Sequence, residues 1–109
     1  MMSKLNKVKN ALTSIEGLKV YHYWHPRLEA PFCIWAEDGE GDSLWSSNHM
    51  AEQIISGAID YYTKTEFDTM VDTIQESLNN VEGLGWNLVT VMYENETNLI
   101  HYSWDFEVI

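Results

Sequence analysis

Four histidines, His22, His25, His49 and His101, and one cysteine, Cys33, are the only imidazole and thiol groups in this chain. They are its candidates for holding a metal or activating a nucleophile. His22 and His25 stand three apart. On a strand that spacing sends them to opposite faces, so they cannot chelate one ion unless the strand breaks between them. Neither a Cys-x-x-Cys nor a His-Glu-x-x-His spacing occurs. A nucleophilic Cys33 would need a nearby histidine and an electropositive setting. Its neighbours Phe32, Ile34 and Trp35 point instead to a buried thiol, and an excess of carboxylates disfavours the thiolate.

Carboxylates come in close pairs: Glu37 and Asp38, Glu40 and Asp42, Asp105 and Glu107. Glycoside cleavage needs two carboxyl groups flanking a cleft, one with its pKa raised by an apolar pocket. Spacing alone does not place these pairs so, and solvated loops and strand faces account for most such carboxylates. The Asp/Glu/Gly run from Asp38 lacks the ligand spacing and closing glutamate of a calcium loop. Gly39 and Gly41 have no third glycine and open no helix, so they make no dinucleotide fingerprint. Asn95-Glu96-Thr97 matches a glycosylation sequon, which has no meaning without a secretory signal. Tyr21, Tyr23, Trp24 and Trp35 could stack on bases, yet no basic residues are interleaved with them, as a single-strand platform requires. The expectation is a protein without catalytic residues, cofactor or metal.

Composition supports that expectation. The chain has 109 residues, 45% of them hydrophobic and 13% aromatic, enough for one domain with a real core and too aromatic for disorder. Six basic residues against 17 acidic ones leave a formal charge of −11. Such a chain repels nucleic acid and anionic membrane surfaces, both of which need Lys and Arg. It suits a cationic partner, a surface from which DNA must slide free, or plain solubility. A single cysteine excludes an internal disulfide. No run of about 18 apolar residues spans a membrane, and residues 1–10 lack the apolar centre of a signal peptide.

The elements that must position these groups follow from periodicity. Leu5, Val8, Leu12 and Ile15 recur at helical spacing, with Lys4, Lys7 and Lys9 elsewhere on the turn and Gly17 as the stop. Residues 19–25 and 32–37 read as strands divided by a Pro-bounded connection. Residues 38–49 read as a long acidic loop carrying Leu44 and an exposed Trp45. Residues 52–63 form a third strand, with Ile55, Gly57, Ile59 and Tyr61 on one face and Ile54, Ser56, Ala58, Asp60 and Tyr62 on the other. Gly57 marks a bulge or a close approach. A second helix starts at a capping box of Thr65 and Asp68, with Phe67, Met70, Val71, Ile74 and Leu78 as its apolar stripe. Asn79, Asn80, Gly83 and Gly85 end it. Residues 88–93 and 99–108 pair as a hairpin. In the latter Ile100, Tyr102, Trp104, Phe106 and Val108 face one way, and His101, Ser103, Asp105 and Glu107 the other. The order is α-β-β-β-α-β-β. The fold class this implies is α+β: one domain with an antiparallel sheet of about five strands and two amphipathic helices on one face.

The stretch from Met50 to Leu78 resembles small tail proteins of long-tailed bacteriophages and prophages. Its long strand ends in an aspartate–aromatic–Thr–Lys turn (Asp60, Tyr61, Tyr62, Thr63, Lys64). An amphipathic helix with Val71-Asp72-x-Ile74-Gln75 follows. The Pro31-Phe32 strand, the Glu37-Asp38-Gly39-Glu40 stretch and the element order are similar to the tail terminator or head–tail joining family. That resemblance implies a virion structural protein of the tail or neck, assembled in the bacterial cytoplasm. Subunits of this kind form a ring, typically of six, that caps the tail tube, meets tail-tube and head-connector proteins, and lets DNA pass without specific binding. Acidic groups lining the lumen would suit that passage. Candidate interface residues are Asp38, Glu40, Asp42, Leu44 and Trp45 of the loop, with Tyr61 and Tyr62. The competing expectation is a non-enzymatic cytosolic binding or regulatory module using an aromatic-rich sheet face. A small enzyme would need a pocket joining carboxylates with His22 and His101.

Overall fold

A computed structural model describes residues 1–24, 29–41 and 53–109. The elements are α1 (Met2–Thr13), β1 (Val20–His22), β2 (Phe32–Glu40), β3 (Ile55–Thr63), α2 (Met70–Asn79), β4 (Leu84–Glu94) and β5 (Leu99–Val108). They form an α+β fold with one five-stranded sheet in the order β1-β2-β3-β5-β4. Three of the four pairings are antiparallel; β1 lies parallel to β2, with Val20 opposite Cys33 and His22 opposite Trp35. The sheet is therefore mixed at this one short edge rather than antiparallel throughout.

Both helices pack on one face. Leu5, Val8, Leu12 and Ile15 of the α1 segment and Ile74 and Leu78 of α2 share a single core with Cys33, Trp35, Ile55, Ile59, Tyr61, Trp104, Phe106 and Val108. The strand residues in that list alternate along the chain, so every second side chain points at the helices. β3 shows the alternation along its whole length, buried and half-buried by turns. Two polar ties fix the helix layer. Ser77 Oγ donates to the Ala11 carbonyl at 2.7 Å. Lys7 Nζ reaches the carbonyls of Glu82 (3.2 Å) and Ile109 (3.0 Å), holding α1 against the end of β5. A Gly17 with φ of +82° then turns the chain from helix toward β1.

Several boundaries differ from the periodicity reading. Residues 38–40 continue β2 instead of opening a loop, and the register shifts between Glu37 and Gly39. A bulge there absorbs the turn-forming Asp-Gly pair without ending the ladder. α2 starts at Met70, not Thr65. Its N-cap Thr69 makes no side-chain bond; Asp68 Oδ1 accepts from the Met70 N–H at 2.9 Å. Phe67 leaves the apolar stripe: it has φ of 54° and is 94% exposed. β4 starts at Leu84 and runs through Gly85, which faces Glu107 across the ladder.

Gly57 is a close approach. A Cβ there would overlap the Ala36 carbonyl oxygen and lie 2.6 Å from Phe106 Cζ. Gly57→Ala is expected to cost about 1–3 kcal/mol by forcing β2 away from β3. A thermal melt matching that of the unmodified protein would refute this reading.

Candidate functional site

The helices cover one face of the sheet, and a row of strand carboxylates lines the other; α2 adds Asp72 and Glu76 on the helix side. Among the described residues no strand contains Lys or Arg. Asp60, Asp105 and Glu107 occupy the outward positions of β3 and β5. Glu94 joins them from β4 through His101, and Asp38 from β2, where its Oδ1 accepts from Ser56 Oγ at 2.9 Å. Asp38, Ser56, Asn87, Asp105 and Glu107 rim an open hollow of about 560 Å³. By contrast α1 carries Lys4, Lys7 and Lys9 and no acidic residue. The two layers thus differ in sign at one end of the helix layer.

At the centre of the acidic face His101 lies between two carboxylates. Its Nε2 is 2.7 Å from Asp60 Oδ1. Its Nδ1 is 3.3 Å from Glu94 Oε2, but off hydrogen-bonding geometry, so this buried nitrogen has charge proximity without a bond. The ring stacks on Tyr62 at 4.2 Å, and Tyr62 on Phe32 at 4.9 Å. Burial, and then the charges of Asp60 and Glu94, push the Tyr62 phenol up to about 12. Both imidazole nitrogens are turned into carboxylates, which leaves neither facing open space to take a substrate proton.

A second histidine pair sits at the β1 margin. His22 stacks between Tyr23 (4.2 Å) and Trp35 (4.1 Å), and its Nε2 is 2.6 Å from Glu37 Oε1. Burial alone would raise the Glu37 carboxyl; hydrogen bonds from Tyr23 and His22 outweigh it and hold the group below its usual range. His22 follows Trp35 onto the helix side of the sheet, whereas His101 is on the other. The sheet separates them, and no shared pocket could use both. Cys33 is buried, and burial, aided by the nearby Asp60 charge, drives its thiol pKa up and away from reactivity. Among the described residues no group of three His, Cys, Asp or Glu side chains is placed to hold a metal ion.

The candidate interface residues divide. Asp38 and Glu40 lie on β2, where Glu40 accepts from Gln53 Nε2 at 2.8 Å. Tyr62 is half-buried on the acidic face. Tyr61 is not an interface residue: it is 1% exposed, points into the core, and donates to Asp68 Oδ2 at 2.7 Å. On adjacent positions of one strand the two tyrosines must face opposite ways, so only one could reach a neighbour. Asp42, Leu44, Trp45, His25 and His49 lie outside the described residues. The Asp60–His101–Glu94 cluster escaped the sequence reading, although each strand's alternation was legible. Joining them needs the register between strands 41 residues apart in the chain.

Neither a family model nor a curated protein matches this chain. Among the described residues no helix is long and apolar enough to cross a membrane.

Proposed function

We propose that this chain is a structural subunit of a phage or prophage virion, a tail terminator or head–tail joining protein. In this reading copies close into a ring that caps the tail tube and meets the head connector, and DNA passes through without specific binding. The observation that carries it is a row of five outward carboxylates, on strands without a Lys or Arg, along the sheet face that the helices leave uncovered. Turned to a lumen, such a face repels phosphates and offers them no anchor. The sequence resemblance of residues 50–78 supplies the class of assembly.

The rival reading is a non-enzymatic binding module. Its observation is the hollow beside Asp105 and Glu107. That hollow is open and rimmed by carboxylates, unlike the enclosed apolar pockets of small-molecule sites, so the assembly reading is preferred.

Electron microscopy of the purified protein, alone and mixed with tail tubes, tests the proposal. Closed rings and capped tube ends are expected. If neither appears, the reading fails. With rings in hand, Asp105→Lys combined with Glu107→Lys should leave them intact while making them retain duplex DNA at low salt, where the unmodified ring retains none.

A further inference from the structure

We infer that neighbouring copies of this chain join sheet edge to sheet edge, β4 of one copy accepting β1 of the next. The inference rests on the assembly reading for the identity of the partner and adds to it the surface that is used.

β4 is an outermost strand of the sheet. Ten of its 11 residues pair with β5 along one side, and among the described residues no strand lies beyond the other. An unpaired ladder of that length is a template for another strand. Proteins that keep such edges single protect them with Lys, Pro or charge. From Leu84 to Tyr93 β4 has none of these. It exposes Leu88, Val89, Val91, Met92 and Tyr93 instead, Val91 by 54% and Tyr93 by 57%. A register shift between Leu88 and Thr90 is its one irregularity. In a chain of net charge −11, this uncharged strip is where a second copy meets the least repulsion.

Topology and charge select which part of the second copy docks. β4 is antiparallel to β5, β5 to β3 and β3 to β2, while β1 is parallel to β2. β4 and β1 therefore run in opposite senses. Copies set side by side in one orientation bring β4 antiparallel to the next β1, the better-bonded arrangement. The register carries Val20 across the sheet through Cys33, Tyr61 and Tyr102 to Val91, and His22 through Trp35, Ile59 and Trp104 to Leu88. The exposed apolar part of β4 is thus level with β1. Lys19, exposed and next to Val20, comes level with Met92 and diagonal to Glu94, an opposite-charge neighbour. Two-fold pairing of β4 with β4 fits less well. It offers Glu94 no cation, because β4 carries neither Lys nor Arg, whereas β1 brings Lys19 beside it.

A head-to-tail contact either closes into a ring or runs on as a filament. Five strands spaced about 4.8 Å apart give each copy about 24 Å of sheet. Six copies would make a belt of roughly 145 Å, about 45 Å across, wide enough for a duplex.

Mixing two singly substituted proteins under mild oxidation tests the contact. One carries Lys19→Cys, the other Met92→Cys; the native Cys33 is buried and does not compete. A disulfide-linked mixed dimer that forms faster than either homodimer is expected. A Met92→Cys homodimer as the main product would mean two-fold pairing and overturns the inference, as does the absence of any mixed product at millimolar concentration. Val91→Lys should weaken association by roughly tenfold or more while leaving the circular dichroism spectrum and melting midpoint of the monomer unchanged. If rings persist in that variant and the mixed disulfide fails, the edge contact is wrong and the virion reading stands. If the mixed disulfide forms but neither rings nor capped tubes are seen, the edge contact stands and the virion reading fails.

Discussion

Trp104→Ala is expected to lower the stability of the folded chain by about 3–5 kcal/mol, the largest effect of any single truncation considered. Trp104 is fully buried at the middle of β5, opposite Ile59 on β3 and Leu88 on β4. It occupies the centre of the core shared by both helices. Its removal leaves a cavity that the flanking strands cannot close without breaking two ladders. It also leaves the Gln75 side-chain Oε1 without the indole N–H that donates to it at 3.1 Å. A domain of this size has about 5–15 kcal/mol in total, so the variant stands near the limit of folding. Trp104→Phe separates the two contributions. It keeps most of the ring and loses the hydrogen bond, and should cost about 1–2 kcal/mol. Urea unfolding followed by circular dichroism measures both. A loss below about 1 kcal/mol for the alanine variant would show that this indole is not the keystone described.

Asp68→Ala should be the second most damaging change, at about 2–4 kcal/mol. The Asp68 carboxylate accepts from Tyr61 Oη and Thr63 Oγ1, both at 2.7 Å, and from the Met70 N–H at 2.9 Å. It joins the end of β3 to the first turn of α2. Tyr61 and Thr63 are each 1% exposed, so their hydroxyls lose a partner that water cannot easily replace. The helix also loses the acceptor for an N-terminal N–H. Burial by itself would raise the Asp68 carboxyl, yet the three hydrogen bonds outweigh it and hold the group below its ordinary range. The sign of the pH dependence follows. A carboxyl depressed in the folded state contributes in full above the unfolded value of about 4, and the contribution fades as pH falls through the lower folded value. The gap between the unmodified protein and Asp68→Ala should therefore narrow from neutral pH to about pH 3. A gap that is equal at both would show that the carboxylate's charge plays no part.

Periodic elements were legible in the sequence, and their limits explain what was not. α1, the inward stripe of α2 from Met70, and the two faces of β3 and β5 all follow from apolar spacing, because burial selects for that spacing. Phe67 fitted the helical stripe by position, yet the chain turns at a positive φ there and the Asp68 side chain takes the first helical N–H. Apolar spacing carries no information on where a side chain competes with the helix for its own backbone. The Asp38-Gly39 pair and Gly85 looked like turn signals, but a bulge and an edge position let a ladder run through them. The direction of β1 is set by three pairings to β2 and leaves no mark in its composition. For the candidate face, the outward position of each carboxylate was readable strand by strand. Their convergence on His101 depended on register, and so did the separation of His101 from His22.

The absence of Lys and Arg from the five described strands has a consequence for proteolysis. A protease that cuts after basic residues finds sites only at Lys4, Lys7, Lys9, Lys19, Arg27 and Lys64. It can sever α1 or the stretches flanking β1 and β3, but it cannot nick any of the five described strands. Residues 65–109, which hold α2 and the whole β4–β5 hairpin, offer such a protease no site.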